Sequence, residues 1–319
     1  MKQLIVAAAQ IACQDGQVLA NLEHASRFVQ QAHEQGAEIV LFHEFMPQGY
    51  RLTPEIWDVG EPLNGPTTAW LCRNARQHGM HIGTSFLEAR GEHFHNIFAL
   101  AGPDGRLAGT VCKRSPSIWE AFFFIGLRNP QYIDTEIGRI GVGICFDNHT
   151  FEVAEAIRHA GVDLMLMPHC YFTPTRLAKG ISQADIDRLN ELPVRVACQY
   201  NELFGVPVVV ANRSGAFDSP APKTILGQLN GYSFSGRSLI LDANGTLKAQ
   251  MGDEEGLVTA TVTLDPACKR QTRPPKYGRY IYPGPVGREI FRLIEAQGYW
   301  SYRRSSVRKA TASRCAQKA

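Results

Sequence analysis

Apolar runs of strand length alternate with segments whose apolar residues recur at helical spacing, and this alternation carries through most of the 319-residue chain. Residues 4–9 read as a strand. Residues 18–36 follow, with Leu19, Leu22, Ala25, Phe28, Val29 and Ala32 at helical intervals. A second buried strand covers 37–42, a helix 67–78, and strands lie near 81–87 and 96–101. The Pro103-Asp104-Gly105 turn leads into a strand ending at Lys113. Residues 136–145 are strand-like, with Gly138, Gly141 and Gly143 permitting close backbone approach. Thr150 is placed to cap a helix running to Ala160, with Gly161 just past its end. Strands at 162–167 and 206–211 flank a helical stretch, 184–200, that Pro193 should kink or divide. Strands at 238–242, 245–249 and 257–262 precede a last helix near 286–296.

The fold class is therefore α/β, although alternation alone leaves several layered α/β folds open. No repeat, low-complexity linker or composition break divides the chain, so residues 1–298 are read as one domain. Residues 299–319 are set apart by charge. Arg303, Arg304, Arg308, Lys309, Arg314 and Lys318 follow one another with no acid among them. Such a run reads as a basic tail, disordered or draped over an oligomer partner.

Over the whole chain 33 basic residues face 30 acidic ones, a net charge of +3 that gives no reason to expect nucleic acid as a partner. No apolar run approaches the roughly 20 residues a membrane helix needs, and the apolar start of the chain is too short for a signal peptide, so a soluble protein without a membrane partner is expected. Eight cysteines are scattered without a CxxC pair. In a chain this long they form no disulfide framework, and a reducing cytoplasm is the expected setting.

Three segments place a reactive side chain at the end of a buried strand, where α/β folds present functional groups. Glu44 directly follows the apolar run ending at Phe42, and burial there would raise its pKa toward that of a general base. Lys113 emerges from a strand, suited to an oxyanion or to lowering a nearby thiol's pKa. A Gly-rich apolar strand stops at Cys145, just before a helix, which can expose a thiol on a tight turn beside backbone N–H groups. Taken singly, a solvated acid, a solvated lysine and an inert buried cysteine would be the ordinary readings.

Together the three resemble the carbon–nitrogen hydrolase (nitrilase-like) superfamily. The matching motifs are Phe42-His43-Glu44 with Gly49-Tyr50, then Val111-Cys112-Lys113, then Gly141-Val142-Gly143-Ile144-Cys145-Phe146-Asp147 with Glu152. Later landmarks at 161–168, 210–215 and 234–245 extend the resemblance over roughly residues 1–265. His43 departs from the usual proline, and His149, Thr150 and Phe151 replace the common Arg-Phe-Pro.

The resemblance implies a four-layer αββα sandwich assembled into a homodimer or higher homo-oligomer. It implies Cys145 as nucleophile, Glu44 as base, Lys113 and the Phe146 N–H at the oxyanion, and Glu120 as a second pocket carboxylate. Phe146-Asp147, where nitrilases tend to have Trp-Glu, favours the amidase-like branch. The expected reaction is hydrolysis of an amide or carbamoyl amide of a small molecule through a Cys thioester, without metal or organic cofactor. Alternatives are a nitrilase acting on a small nitrile and an N-acyltransferase using the same thioester. Tyr50, Trp119, His149, His169, Cys170 and Phe172 are the substrate-binding candidates; Phe122 is a further aromatic, and Arg114 or Arg176 a conceivable clamp for a carboxylate.

Other classes fit less well. The histidine pairs make no complete metal set such as HExxH. A cysteine peptidase would need a histidine base in contexts missing here. An interaction protein would have no need of the full triad.

Overall fold

A computed structural model describes residues 1–175, 182–224, 231–283 and 288–318. In chain order the elements are β1 (Lys2–Gln10), α1 (Val18–Glu34), β2 (Ile39–Phe42), α2 (Pro66–His78), β3 (His81–Arg90), β4 (His93–Ala101), β5 (Leu107–Cys112), β6 (Tyr132–Asp134) and β7 (Arg139–Val142). Then come α3 (Phe151–Ala160), β8 (Leu164–His169), β9 (Phe172–Pro174), α4 (Gln183–Asn190), α5 (Leu192–Phe204), β10 (Val208–Asn212), β11 (Ala216–Phe217) and β12 (Tyr232–Phe234). β13 (Leu239–Leu241), β14 (Leu247–Gln250), β15 (Gly256–Leu264), α6 (Arg288–Arg304) and α7 (Ser306–Ala316) complete the chain.

Among the described residues the strands form two six-stranded sheets, in the orders β15-β1-β2-β3-β4-β5 and β14-β13-β10-β8-β7-β6, and a small sheet β11-β12-β9. Strand periodicity sorts the side chains into layers. Leu4, Val6, Ala8, Ile39 and Leu41 face Ile140, Val142, Leu164, Leu166 and Val209 across the interface between sheets. Their neighbours Ala7, Ala9, Val40 and Phe42 point the other way and pack on α1 and α2. On the second sheet Met165, Met167, Val208 and Val210 pack on α3 and α5. The layers therefore run αββα, as expected.

Local signals act as physics requires. Thr150 caps α3 by accepting from Val153 N–H, and Gly161 ends it at φ 62°. Pro193 divides the expected helix into α4 and α5, standing in the first turn of α5, where its missing N–H costs nothing. The strand expected to reach Cys145 is shorter. It ends at Val142, and Cys145 opens a short 3₁₀ turn, Cys145–His149.

The C-terminus departs most from expectation. The last helix is longer than 286–296, the boundary at 299 falls inside α6, and α7 lies against β3, β4 and the 3₁₀ turn Pro54–Val59. Arg308, counted among the tail's charges, is fully buried. Its guanidinium donates to Glu92 O and Tyr302 O and lies over the Tyr302 ring. The overlooked signal is the spacing of Arg308, Thr311, Ala312 and Cys315, which puts one buried face on a helix dominated elsewhere by charge.

Candidate active site

The two sheets bring the ends of β2, β5, β7 and β8 to one place. Glu44 leaves β2, and Phe45 turns the chain at φ 51°. Glu44 Oε1 accepts from Lys113 Nζ at 2.7 Å and from Asn96 Nδ2 at 2.7 Å. Glu44 Oε2 accepts from the Cys170 N–H at 3.1 Å. Lys113, just past β5, reaches Glu120 as well, 2.7 Å from Oε2. Glu120 sits on a 3₁₀ turn, Glu120–Phe122, and also receives the Tyr50 hydroxyl at 2.8 Å and the Ser117 N–H at 2.6 Å. One ammonium thus bridges two carboxylates, and further donors hold both carboxylates in place.

Cys145 follows the extended Ile144 with φ at 49°, a left-handed conformation that an L side chain adopts at a cost. The turn is tight because a Cβ at Gly143 would overlap Asn148 Oδ1, while Asn148 Nδ2 donates to Gly143 O at 2.7 Å. Glu44, Lys113 and Glu120 all act electrostatically on the Cys145 thiol. Cys145 is 8% exposed, whereas Glu44 and Lys113 are 0% and Glu120 is 1%. Cys145 is therefore the least buried member of the cluster.

Burial, aided by the Glu120 charge, pushes Glu44 up to about 7 against the pull of Lys113. Burial works against the Lys113 ammonium, but Glu120 and Glu44 outweigh it and hold the lysine well above its ordinary range. Burial and the Glu44 carboxylate likewise push the Cys145 thiol well up. Near neutral pH the cluster holds a charged lysine, a protonated thiol and a carboxyl group poised to change state. That arrangement suits proton transfer from sulfur to Glu44 on demand.

Tyr50 and Cys170 touch the carboxylates directly. Trp119 and Phe172 stack with centroids 5.7 Å apart and join Phe217, Tyr232 and Phe234 in an aromatic wall beside Tyr50. His149 and His169 sit together at 6.4 Å next to the Cys145 turn. Burial drives His149 down to about 3 and His169 well below its usual value, so both rings are neutral. Phe146 packs against His149 and Tyr280. Phe122 lies against Gly298 of α6 rather than in the carboxylate cluster. Arg114 engages Asn129 O and Glu152, and Arg176 lies outside the described residues. Asp147 accepts from the N–H groups of Arg114 and Ser115, at 3.0 and 2.8 Å, tying the cysteine turn to the strand end that bears Lys113.

Asn96 escaped the sequence reading. Its signal was an amide directly before the apolar run Ile97–Ala101, where a buried polar group demands a partner. Among the described residues no group of three or more His, Cys, Asp or Glu side chains is placed to hold a metal ion, and no helix is long and apolar enough to cross a membrane.

A family model described as carbon-nitrogen hydrolase matches residues 5–270. The chain is 31% identical to an N-carbamoylputrescine amidase of Solanum tuberosum, over 82% of this chain and 86% of that protein. It is 27% identical to an omega-amidase of Xenopus laevis, over 76% and 83% of the two chains. Among solved structures it resembles a carbon-nitrogen hydrolase from Helicobacter pylori G27, with a TM-score of 0.69, 18% identity and 96% of each chain covered. It also resembles a mutant amidase from Nesterenkonia sp. AN1 whose active-site cysteine carries acrylamide by Michael addition, with a TM-score of 0.67, 20% identity, and 82% and 93% covered.

Proposed function

The chain belongs to the carbon–nitrogen hydrolase family, and from that premise we propose that Cys145, Glu44, Lys113 and Glu120 cleave the amide or carbamoyl amide of a small molecule through a Cys145 thioester. The observation that carries this reading is the buried ammonium of Lys113 bridging Glu44 and Glu120 at 2.7 Å each, with all three groups acting electrostatically on the Cys145 thiol.

Glu44 takes the thiol proton as sulfur attacks the carbonyl carbon. The C–S bond forms while the carbonyl π pair moves to oxygen. Lys113 and the Phe146 N–H, in the first turn of a 3₁₀ segment and so without an acceptor inside it, stabilise that oxyanion. Collapse breaks the C–N bond, and Glu44 returns the proton to the departing ammonia or amine. Water then attacks the thioester, giving Glu44 its proton and restoring the thiol. Glu120 keeps Lys113 in place, and Tyr50 keeps Glu120 in place. Trp119, Phe172, His149, His169 and Cys170 line the approach, and the neutral state of both imidazoles suits an uncharged amide or ureido group.

The curated relatives named above act, by their names, on a carbamoylated amine and on ω-amides, and both chemistries fit this cluster. A reducing cytoplasm belongs to the same reading, supported by eight unpaired cysteines. So does a homo-oligomer, supported by Leu293 and Trp300, which are 58% and 59% exposed on α6.

Ammonia release from a panel of aliphatic amides, carbamoyl amines, ω-amides and nitriles tests the reading. Release from an amide that vanishes in Cys145→Ala is expected. Release from nitriles alone would assign a nitrilase instead, and acyl transfer to an added amine without hydrolysis would assign an acyltransferase.

A further inference from the structure

The family match ends at residue 270, yet two residues beyond it reach both halves of the catalytic cluster. Arg279 and Glu295 form a bidentate pair, with guanidinium nitrogens 2.7 and 2.8 Å from the two carboxylate oxygens. Glu295 stands on α6 and also accepts the Ile118 N–H at 3.3 Å. Ile118 has φ 28°, so the loop leading to Glu120 holds a conformation that needs external support. Gly298, one turn on, lies so close to Ala121 and Phe122 that a Cβ there would collide with both. On the other side the Arg279 guanidinium lies 4.8 Å over the ring of Phe146, the residue after the nucleophile. The Arg279 carbonyl accepts the Phe151 N–H at 2.8 Å, where the cysteine turn passes into α3.

We propose that the Arg279–Glu295 pair is a positioning clamp, by which the C-terminal segment holds the Glu120 loop and the Cys145–Phe146 turn in fixed relation. The inference rests on Cys145 being the nucleophile. A half-buried bidentate Arg–carboxylate pair adds little net stability but fixes geometry strongly, because the planar fork admits one arrangement. Misplacing a catalytic group by about 1 Å from a distance can cost on the order of 100-fold in rate. Arg279 and Glu295 are positioning residues, since neither touches the triad itself.

The test needs no knowledge of the substrate. Iodoacetamide alkylates a cysteine when sulfur displaces iodide and the thiol proton passes to a base, here Glu44, leaving a thioether. The rate is read as mass gain on the Cys145 peptide, with thermal midpoints measured alongside. Glu295→Ala and Arg279→Met are each expected to slow Cys145 labelling by on the order of 10- to 100-fold, and the double variant no further, because the two act as one unit. Arg279→Lys, which keeps the cation over Phe146, should recover part of the rate. Ile294→Ala, which loosens buried packing of the same helix, should lower the midpoint while labelling stays within about twofold of wild type. Labelling of both clamp variants within about twofold of wild type would overturn the clamp, as would equal slowing by Ile294→Ala. Wild-type labelling of Cys145 no faster than that of the half-buried Cys72 and Cys198 would instead remove the nucleophile assignment, and the clamp with it.

Discussion

Asn96 donates its amide N–H to Glu44 Oε1 at 2.7 Å, the same oxygen that receives Lys113. Two donors on one oxygen fix the orientation of the carboxylate. Asn96→Ala would leave Glu44 short of one buried donor. Expected effects are a loss of about 1–3 kcal/mol in unfolding free energy and a drop of roughly tenfold or more in Cys145 alkylation. Urea titration and labelling rates check both, and Asn96→Asp should be worse than Asn96→Ala because it adds a third buried carboxyl group.

Removing the ammonium has a larger effect. Lys113→Met leaves Glu44 and Glu120 facing each other without compensation, a break that costs about 3–5 kcal/mol in buried pairs. It should also abolish measurable ammonia release. Adding Glu120→Gln to Lys113→Met should restore part of the stability and none of the activity. Stability unchanged in Lys113→Met would contradict the bridging role.

The Cys145 backbone gives a prediction of the opposite sign. At φ 49° a side chain costs about 1–2 kcal/mol, which glycine avoids. Cys145→Gly should therefore unfold at higher denaturant concentration than Cys145→Ala, by roughly 1 kcal/mol, with both inactive. The reverse order would mean that the turn is not strained.

The pH response follows from two opposed sets of groups. Burial raises Glu44 to about 7 and Asp147 to about 6 from their ordinary values of 4.5 and 3.8. The folded state thus retains protons that the unfolded chain releases, and this contribution to stability fades as pH rises from about 4 to 7. Burial lowers His43 and His149 to about 3 from 6.5. The unfolded chain gains protons there that the folded state refuses, so this contribution is lost as pH falls from 6.5 toward 3. Stability should be greatest near pH 6, and Cys145 labelling should rise through pH 7 as Glu44 ionises. Glu44→Gln should abolish that rise, with the labelling rate against pH as the measure.

Much of this architecture was legible in the chain. Runs such as Val40-Leu41-Phe42 mark strands covered on both faces, and Glu44, Lys113 and Cys145 stand where those strands stop. Pairings set by tertiary contact were not. Asn96 looks like a polar interruption until Glu44 lies opposite it. Arg308 looks solvated until Tyr302 and Glu92 supply its acceptors. Arg279 and Glu295 are ordinary surface charges in sequence, because their meaning lies in Phe146 and Ile118, more than 100 positions away. Charge dominated the reading of residues 299–319, although the small residues at 311, 312 and 315 set the packing there.

The proposed reaction depends on a covalent acyl bond at Cys145. The wild-type enzyme should be mixed with an amide from which it releases ammonia, quenched in acid within the first turnovers, and digested. The acyl mass of that amide is expected on the Cys145 peptide, removable by hydroxylamine, with no acyl mass on the other cysteines. Ammonia release with Cys145 unmodified, or persisting in Cys145→Ala, would contradict it.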